Sequence, residues 1–299
     1  RINVGGKLYT MAYGNPCAMH VDPIEKKPFF HFLPKSTAFS ISTAGCNFSC
    51  LNCQNWSISQ VGPKETQNYD LMPEEVVAQC QKYGCESIAF TYTEPTVYYE
   101  YMLDTAKISR QKGIRNLLIS NGYINQEPLK KLIPYIDAAN IDLKSFDDEI
   151  YQKLNGGRLQ PILDTLLALK KSNVWLEITN LVVPTYTDKI DMIKDMCEWL
   201  VTNGFSEYPL HFSRFFPAYK LENLSPTPVS ILIKAKEIAL KSGMKYVYVG
   251  NVPQAGYEDT LCPKCNKKLV ERIGFDVLSI HIKDNKCEYC KYPINGVWK

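Results

Sequence analysis

Short apolar runs and amphipathic stretches alternate along most of this chain. Ala38-Phe39-Ser40-Ile41-Ser42 is a mostly apolar run of strand length. Residues 87–91, 114–119, 138–143, 174–183, 209–213 and 245–249 read as further short, buried strands. Between them the period changes to that of a helix. In 73–83, for example, a proline stands near the start, Val76, Val77 and Cys80 share one face, and Gly84 follows the end. Helices are likewise predicted from Pro95 to about Gly113 and over 128–135, 147–154, 161–171, 189–202 and 228–242. Strands alternating with helices imply a parallel sheet with crossover connections. From Thr37 there are about six strand–helix units and a final strand, fewer than a closed eight-unit barrel needs. The predicted fold class is therefore α/β, a partial (β/α)6 barrel open at one side, with chemistry at the C-terminal ends of its strands.

The rhythm is absent at both ends. In 1–36, Pro16, Pro23, Pro28 and Pro34 interrupt the chain, and only 9–13 has strand character. This segment is expected to wrap the outside of the core in hairpins and loops, with His20 and His31 as surface or packing histidines. After about Asn251 a small tail follows. The predicted division is 1–36 wrapping segment, 37–253 barrel and 254–299 tail.

Composition narrows the class. The chain has 299 residues, 45% of them hydrophobic and 22% charged, with a net charge of +3. These are values of a soluble globular protein and give no reason to expect nucleic acid or a membrane surface as partner. No apolar run approaches the ~18 residues of a membrane helix. No signal-peptide pattern opens the chain, so a cytoplasmic location is expected. It lacks an initiator Met, and a longer parent chain is expected.

Eleven cysteines change the picture most. Cys46, Cys50 and Cys53 stand in a C-x-x-x-C-x-x-C pattern just after the first predicted barrel strand. A tight loop aims three thiolates at one point, as an iron–sulfur cluster needs, although such clusters are normally held by four. The next cysteine, Cys80, lies beyond a predicted helix start. Three ligands leave one iron open for chemistry. Cys262/Cys265 and Cys287/Cys290 form two CxxC knuckles in the tail. That spacing fits a zinc-ribbon-like, structural four-thiolate site, which folds a tail too small for its own core. Rubredoxin-type iron or a second iron–sulfur cluster is the alternative. Disulfides do not suit the expected compartment. Cys17, Cys80, Cys85 and Cys197 read as buried small hydrophobes, Cys17 being also a possible substrate-side thiol.

Polar groups recur at the predicted strand ends: Thr93 and Glu94, Ser120 and Asn121, Asp142 and Lys144, and Arg214 after His211. Rigid strand ends bearing such groups suit a zwitterionic, hydroxyl-rich ligand. Local explanations stand beside this one. Pro95 at a helix start with Glu94 favoured by the dipole is ordinary capping. Asn121-Gly122 is turn chemistry. Asp142 and Lys144 make a solvated pair, and His211 a core histidine.

The cysteine loop and the strand-end groups together resemble the radical S-adenosylmethionine (radical SAM) superfamily. The resemblance implies a 4Fe–4S cluster on Cys46, Cys50 and Cys53, with SAM chelating the open iron. It implies SAM contacts from Glu94, Thr93, Ser120, Asn121, Asp142, Lys144 and Arg214. Two departures stand out. Asn52 precedes the third cysteine where an aromatic residue is common, so Phe48 or Trp56 is the expected cover for the cluster. Tyr92 and Thr93 replace the two glycines of the usual Gly-Gly-Glu-Pro segment. At family level, His20-Val21-Asp22-Pro23-Ile24-Glu25-Lys26-Lys27-Pro28, His31-Phe32-Leu33-Pro34, Thr43-Ala44-Gly45-Cys46-Asn47-Phe48, Ala139-Asn140-Ile141-Asp142-Leu143-Lys144 and Tyr248-Val249-Gly250-Asn251-Val252-Pro253 resemble the AmmeMemoRadiSam-system enzymes. These are relatives of pyruvate formate-lyase activating enzymes. Phe216 stands where family members can carry His. The resemblance implies Memo-type and AMMECR-type proteins as partners, and a flavodoxin or ferredoxin as electron donor.

Three functions follow as expectations. The first is a radical SAM enzyme that takes a hydrogen atom from a protein or peptide, with the tail and the 20–34 loops framing a docking surface. The second applies the same radical to a small metabolite. The third is a non-catalytic iron–sulfur and zinc-ribbon binding module.

Overall fold

A computed structural model describes residues 1–252 and 256–298. Eight strands make the main sheet: β1 (Ala18–Pro23), β2 (Thr37–Ser42), β3 (Ser87–Phe90), β4 (Arg115–Ser120), β5 (Ala138–Asp142), β6 (Trp175–Val182), β7 (Leu210–Arg214) and β8 (Val247–Gly250). They lie side by side in chain order. β2 to β8 run parallel, while β1 pairs antiparallel with β2, Ala18 facing Ser42 and Pro23 facing Thr37. β1 and β8 do not pair, so the barrel is open between them. Six helices cover the outside: α1 (Pro73–Lys82), α2 (Tyr99–Gln111), α3 (Gln126–Leu132), α4 (Gln160–Lys170), α5 (Ile190–Thr202) and α6 (Val229–Ser242). This is the partial parallel barrel expected from the alternating pattern. Among the described residues no helix is long and apolar enough to cross a membrane.

The pleat sorts each strand's side chains. On β6, Leu176, Ile178 and Val182 pack outward into the helix layer. Glu177, Thr179 and Leu181 therefore face the lumen. On β7, Leu210 and Phe212 face the helices, which leaves His211 and Ser213 inside. The outward rows join the helices in the principal apolar core, where each fully buried Leu or Ile contributes about 1.5–3 kcal/mol.

The N-terminal segment differs from the expected wrapper. Ala18–Pro23 is a strand of the sheet, and the chain after it enters the barrel instead of circling it. Ile24, Phe29 and Phe32 pack against Ala38, Ala89, Leu117 and Ala138, near the N-terminal ends of β2 to β5. Alanine at three of those four positions leaves room for the two rings. The chain after β1 thus fills the barrel floor, and within 20–34 the residues Phe29 to Phe32 are too buried to frame a docking surface. Prolines at 16 and 23 hid the strand, but a proline at the end of an edge strand leaves the ladder intact.

A polar network ties this plug to the tail. Glu177, fully buried, accepts from the backbone N–H groups of Phe30 (3.0 Å) and His31 (2.8 Å) and from His211 Nε2 (2.6 Å). His31 lies 2.7 Å from the Asn295 carbonyl through Nδ1 and 2.6 Å from the Tyr248 hydroxyl through Nε2. The tail's sheet is β9 (Thr260–Leu261), β10 (Lys268–Ile273) and β11 (Asp276–Ile280). From β10 the buried Arg272 donates to the Phe30 carbonyl (2.7 Å) and to Thr260 Oγ1 (2.9 Å), with its guanidinium 4.3 Å from the Phe30 ring centre. Tyr246 and Tyr248 of the β8 segment share a core with Cys262, Leu269 and Val270. The boundary expected at 253/254 lies outside the described residues.

This network makes stability pH-dependent. A neutral His31 ring satisfies both contacts, donating from Nδ1 and accepting at Nε2. Burial pushes its pKa down to about 4, although Glu177 pulls the other way. In the unfolded chain a histidine titrates near 6.5, so as pH falls the unfolded state takes the proton first. The associated stability is complete above about pH 6.5 and is lost as pH falls towards 4. From pH 6.5 to 5 the protein is expected to lose about 1.6 kcal/mol that His31→Gln does not lose. Urea midpoints of both proteins at the two pH values check this, and equal slopes would refute it.

Candidate active site at the strand ends

β2 ends at Ser42, and the chain turns at Gly45 into the cysteine loop. Gly45 has a φ of +103°, a conformation closed to most L-residues. Its N–H donates to the Ile58 carbonyl at 2.8 Å, pulling the loop's two ends together. The loop is also braced from across the barrel mouth. After β5 a short helix ends in the turn Tyr151–Asn155. Ser49 N–H donates to the Asn155 carbonyl and Leu51 N–H to the Leu154 carbonyl, both at 2.9 Å. The Asn155 side chain donates to Cys50 Sγ at 3.2 Å. Cys53 Sγ lies 3.2 Å from Ser59 Oγ. The cysteine loop is therefore held as two strands hold each other, by its backbone.

Cys46, Cys50 and Cys53 all line one cavity of about 490 Å³, at the C-terminal ends of the strands. Burial pushes the Cys46 thiol up to about 12, and Cys50 also upward. Thiols raised in this way disfavour separate negative charges, and three half-buried sulfurs on one cavity suit a shared cationic centre. The donor set fits a cluster: three thiols lining one cavity, an amide N–H on two of them (Asn155 on Cys50, Phe48 on Cys46), and the buried Asn52 and Asn155 Oδ1 atoms unpartnered. Phe48, buried against Tyr123 (ring centres 5.1 Å apart), forms part of the wall. Trp56 does not: it is exposed and stacks on Tyr219.

Glu94 is the central acceptor of the opposite wall. Its Oε1 accepts from Ser120 Oγ (2.8 Å) and from Thr96 N–H (3.0 Å), and Oε2 from Asn121 N–H (2.8 Å). The capping role and the position in the cavity therefore coexist. Burial pushes the Glu94 carboxyl up, against those three donors. Oε2 takes only one of those three donors and so retains acceptor capacity. Asn121 also donates to Asn47 Oδ1 (2.7 Å), linking β4 to the cysteine loop. Thr93 donates to the Thr43 carbonyl at 2.8 Å. Lys144 and Asp142 pair at 2.6 Å on the third wall. Burial opposes its charge, yet Asp142 and the Cys50 sulfur hold the Lys144 ammonium above its ordinary range.

Arg214 is not brought to this cavity. It shares the outward parity of Leu210 and Phe212, donates from Nε to the Thr227 carbonyl (2.8 Å) and lies 5.1 Å from the Phe216 ring centre. Ser213 takes the inward place on β7 and accepts from Asn251 Nδ2 at 2.9 Å. His211 belongs to the floor network. Asn155, Lys26 and Lys27 are further cavity or bracing residues that the strand-end pattern does not reveal.

In the tail, the sulfurs of Cys262, Cys265, Cys287 and Cys290 lie within 4.8 Å of one another. Four thiols at that spacing suit a single metal ion with closed coordination. Cys80 and Cys197 are buried, as expected, and all eleven cysteines are free thiols.

Parallel strands, a three-cysteine loop after the first of them and a polar cavity at their ends define the class. Residues 40–200 match the model of the radical SAM superfamily, and the chain belongs to that superfamily. An uncharacterized protein of Methanocaldococcus jannaschii is 46% identical over 299 residues, covering 99% of this chain and 89% of that protein. The pyruvate formate-lyase 1-activating enzyme of Escherichia coli K12 is 26% identical over 220 residues, 68% of this chain and 89% of the enzyme. The 4-hydroxyphenylacetate decarboxylase activating enzyme of Clostridium scatologenes is 27% identical over 168 residues, 54% of this chain and 53% of the enzyme. In fold, the chain is similar to SuiB of Streptococcus suis bound to precursor peptide SuiA, with a TM-score of 0.56 at 13% identity, over 76% of this chain and 51% of SuiB. The superfamily implies a 4Fe–4S cluster and SAM.

Proposed function

We propose that this chain is a radical SAM enzyme of the AmmeMemoRadiSam type that abstracts hydrogen from a protein or peptide, as an activating enzyme does. One observation carries the reading: Cys46, Cys50 and Cys53 line the same strand-end cavity as Glu94, Asp142 and Lys144. A 4Fe–4S cluster bound with SAM supplies one electron for reductive cleavage of the sulfonium and so a 5′-deoxyadenosyl radical. The three cysteines hold the cluster by their sulfurs. Glu94 accepts from the SAM amino group through its remaining lone pair. Thr93, Ser120 and Asn121 fix that carboxylate and the adjacent strand end. Lys144, kept cationic by Asp142, receives the methionine carboxylate. Phe48 screens the cysteines from water.

The activating-enzyme relatives favour a polypeptide substrate. Memo-type and AMMECR-type partners and a flavodoxin or ferredoxin donor belong to the same reading, as do a cytoplasmic location and a structural zinc ion in the tail. Anaerobic reconstitution with iron and sulfide, followed by SAM and dithionite, tests it. The wild-type chain is expected to form 5′-deoxyadenosine, and Cys50→Ala to form none. Wild-type product no higher than that control would end the proposal.

A further inference from the structure

β1 carries the chain down to the barrel floor, and the residues after it return a charge to the cavity. Asp22, near the end of β1, accepts at Oδ1 from Lys26 Nζ (2.8 Å) and at Oδ2 from Lys27 Nζ (2.5 Å). The Tyr92 hydroxyl donates to Oδ2 as well. One carboxylate thus meets two ammonium groups, and among the described residues it is the one carboxylate bonded to either. A positive charge is left over. Lys27 is buried, with 2% of its side chain exposed, whereas Lys26 is 44% exposed. Both line the cavity that holds the three cysteines. They enter it from the opposite direction, because β1 runs antiparallel to β2. They also stand at the edge where the barrel is open.

The group is held in place at some cost. Tyr92 adopts a φ of +61°, the left-handed region that bulky residues avoid. Such a backbone is strained and persists only where its surroundings enforce it. Here the enforcing contacts are the Asp22 bond and the Asn55 side chain, which donates to the Tyr92 carbonyl at 2.7 Å. The resulting turn places the Tyr92 ring 4.9 Å from Lys27 Nζ. Glycine at this position would relieve the strain and lose the ring, the hydroxyl and the fixed lysine pair.

We propose that Lys26 and Lys27, set by Asp22 and Tyr92, form a seat for an anionic group of the substrate, a carboxylate or a phosphate, at the open edge of the barrel. This rests on the cavity being the active site. The pair is separate from Lys144, which bonds Asp142 and receives the SAM carboxylate, so the anion it binds belongs to the substrate and not to SAM. Burial lowers the Lys27 pKa to about 8, and a second anion beside it would raise it again and hold the ammonium form more firmly. The substrate class is accordingly an acid: a free small acid or an acidic segment of a polypeptide.

Binding to the oxidised, reconstituted full chain, with neither SAM nor reductant present, tests this. The probes are glutarate, inorganic pyrophosphate, and the blocked tripeptide acetyl-Gly-Glu-Gly-amide against acetyl-Gly-Gln-Gly-amide, followed by titration calorimetry. At least one anionic probe is expected to bind and the Gln tripeptide not to. Lys26→Gln is expected to weaken binding about tenfold, the worth of one charge-assisted hydrogen bond. Lys130→Gln, on the outer surface of α3, serves as the control. Lys27→Met keeps the buried volume and should abolish binding; if it fails to fold, the exposed Lys26→Gln still decides. Tighter binding of the free acids assigns the seat to a small substrate, and tighter binding of the Glu tripeptide to a polypeptide. No anion bound by the wild type, or equal binding by wild type and Lys26→Gln, overturns the proposal. 5′-Deoxyadenosine formation by the wild type is scored separately, so either reading can fail alone.

Discussion

Glu177→Ala is expected to destabilise the folded chain by about 4 kcal/mol, within the range for a buried pair that loses one partner. The reason is a count of donors. Glu177 receives the backbone N–H groups of Phe30 and His31, the Trp175 indole N–H at 3.1 Å and His211 Nε2. Truncation takes this acceptor from the buried Phe30, His31 and His211 groups and the half-buried Trp175 indole, and each unmet buried donor costs about 1–3 kcal/mol. Burial alone would push the Glu177 carboxyl up, but His211 and the backbone donors hold it below its ordinary range. It is therefore ionised in the fold, and Glu177→Gln is expected to be damaging too, since its NH2 group would face donors. Urea midpoints measure the loss, with Glu127→Ala on α3 as an exposed control expected to change stability by less than about 0.5 kcal/mol. A loss under about 1 kcal/mol for Glu177→Ala would mean that water replaces the carboxylate. The same substitution frees the segment that carries Lys26 and Lys27, so the barrel floor and the cavity wall stand or fall together.

Much of this was legible in the sequence, for identifiable reasons. The parallel strands announced themselves because both faces of each are covered, so each reads as a compact apolar run. The cysteine loop and the tail knuckles announced themselves because their ligands lie close together in sequence. Arg214 was read onto the right strand end but the wrong face. Leu210 and Phe212 had already set the outward parity, and residue 214 shares it. β1 was hidden by its flanking prolines, and the Phe29-Phe30-His31-Phe32 run carries no period that distinguishes a plug from a surface loop. The bracing by Asn155 was illegible for another reason. Its partner Cys50 is distant in sequence, and its meaning depends on a turn whose Gly156 takes a φ of +77°.

That turn leads to the other large effect. Gly157→Ala is expected to abolish most iron binding by the cysteine loop while leaving the fold intact. A methyl group there would sit 2.4 Å from Phe48 Cε1 and 2.5 Å from Cζ, far inside contact distance. Phe48 has little room to retreat, because Tyr123 and Tyr151 flank its ring. The displacement must then pass into the backbone between Cys46 and Cys50. Overpacking of this kind costs typically 1–3 kcal/mol, and here it falls on the loop rather than on the sheet. Iron content and charge-transfer absorbance after reconstitution report the loss, and circular dichroism reports the fold. A second substitution makes the cause testable. Leucine lacks the two ring atoms that clash, so Phe48→Leu is expected to restore iron binding in the Gly157→Ala background. Two changes that merely added their separate losses would show no such recovery. Recovery would locate the effect in the Phe48–Gly157 contact, and so make the turn after Asn155 part of what shapes the cysteine loop.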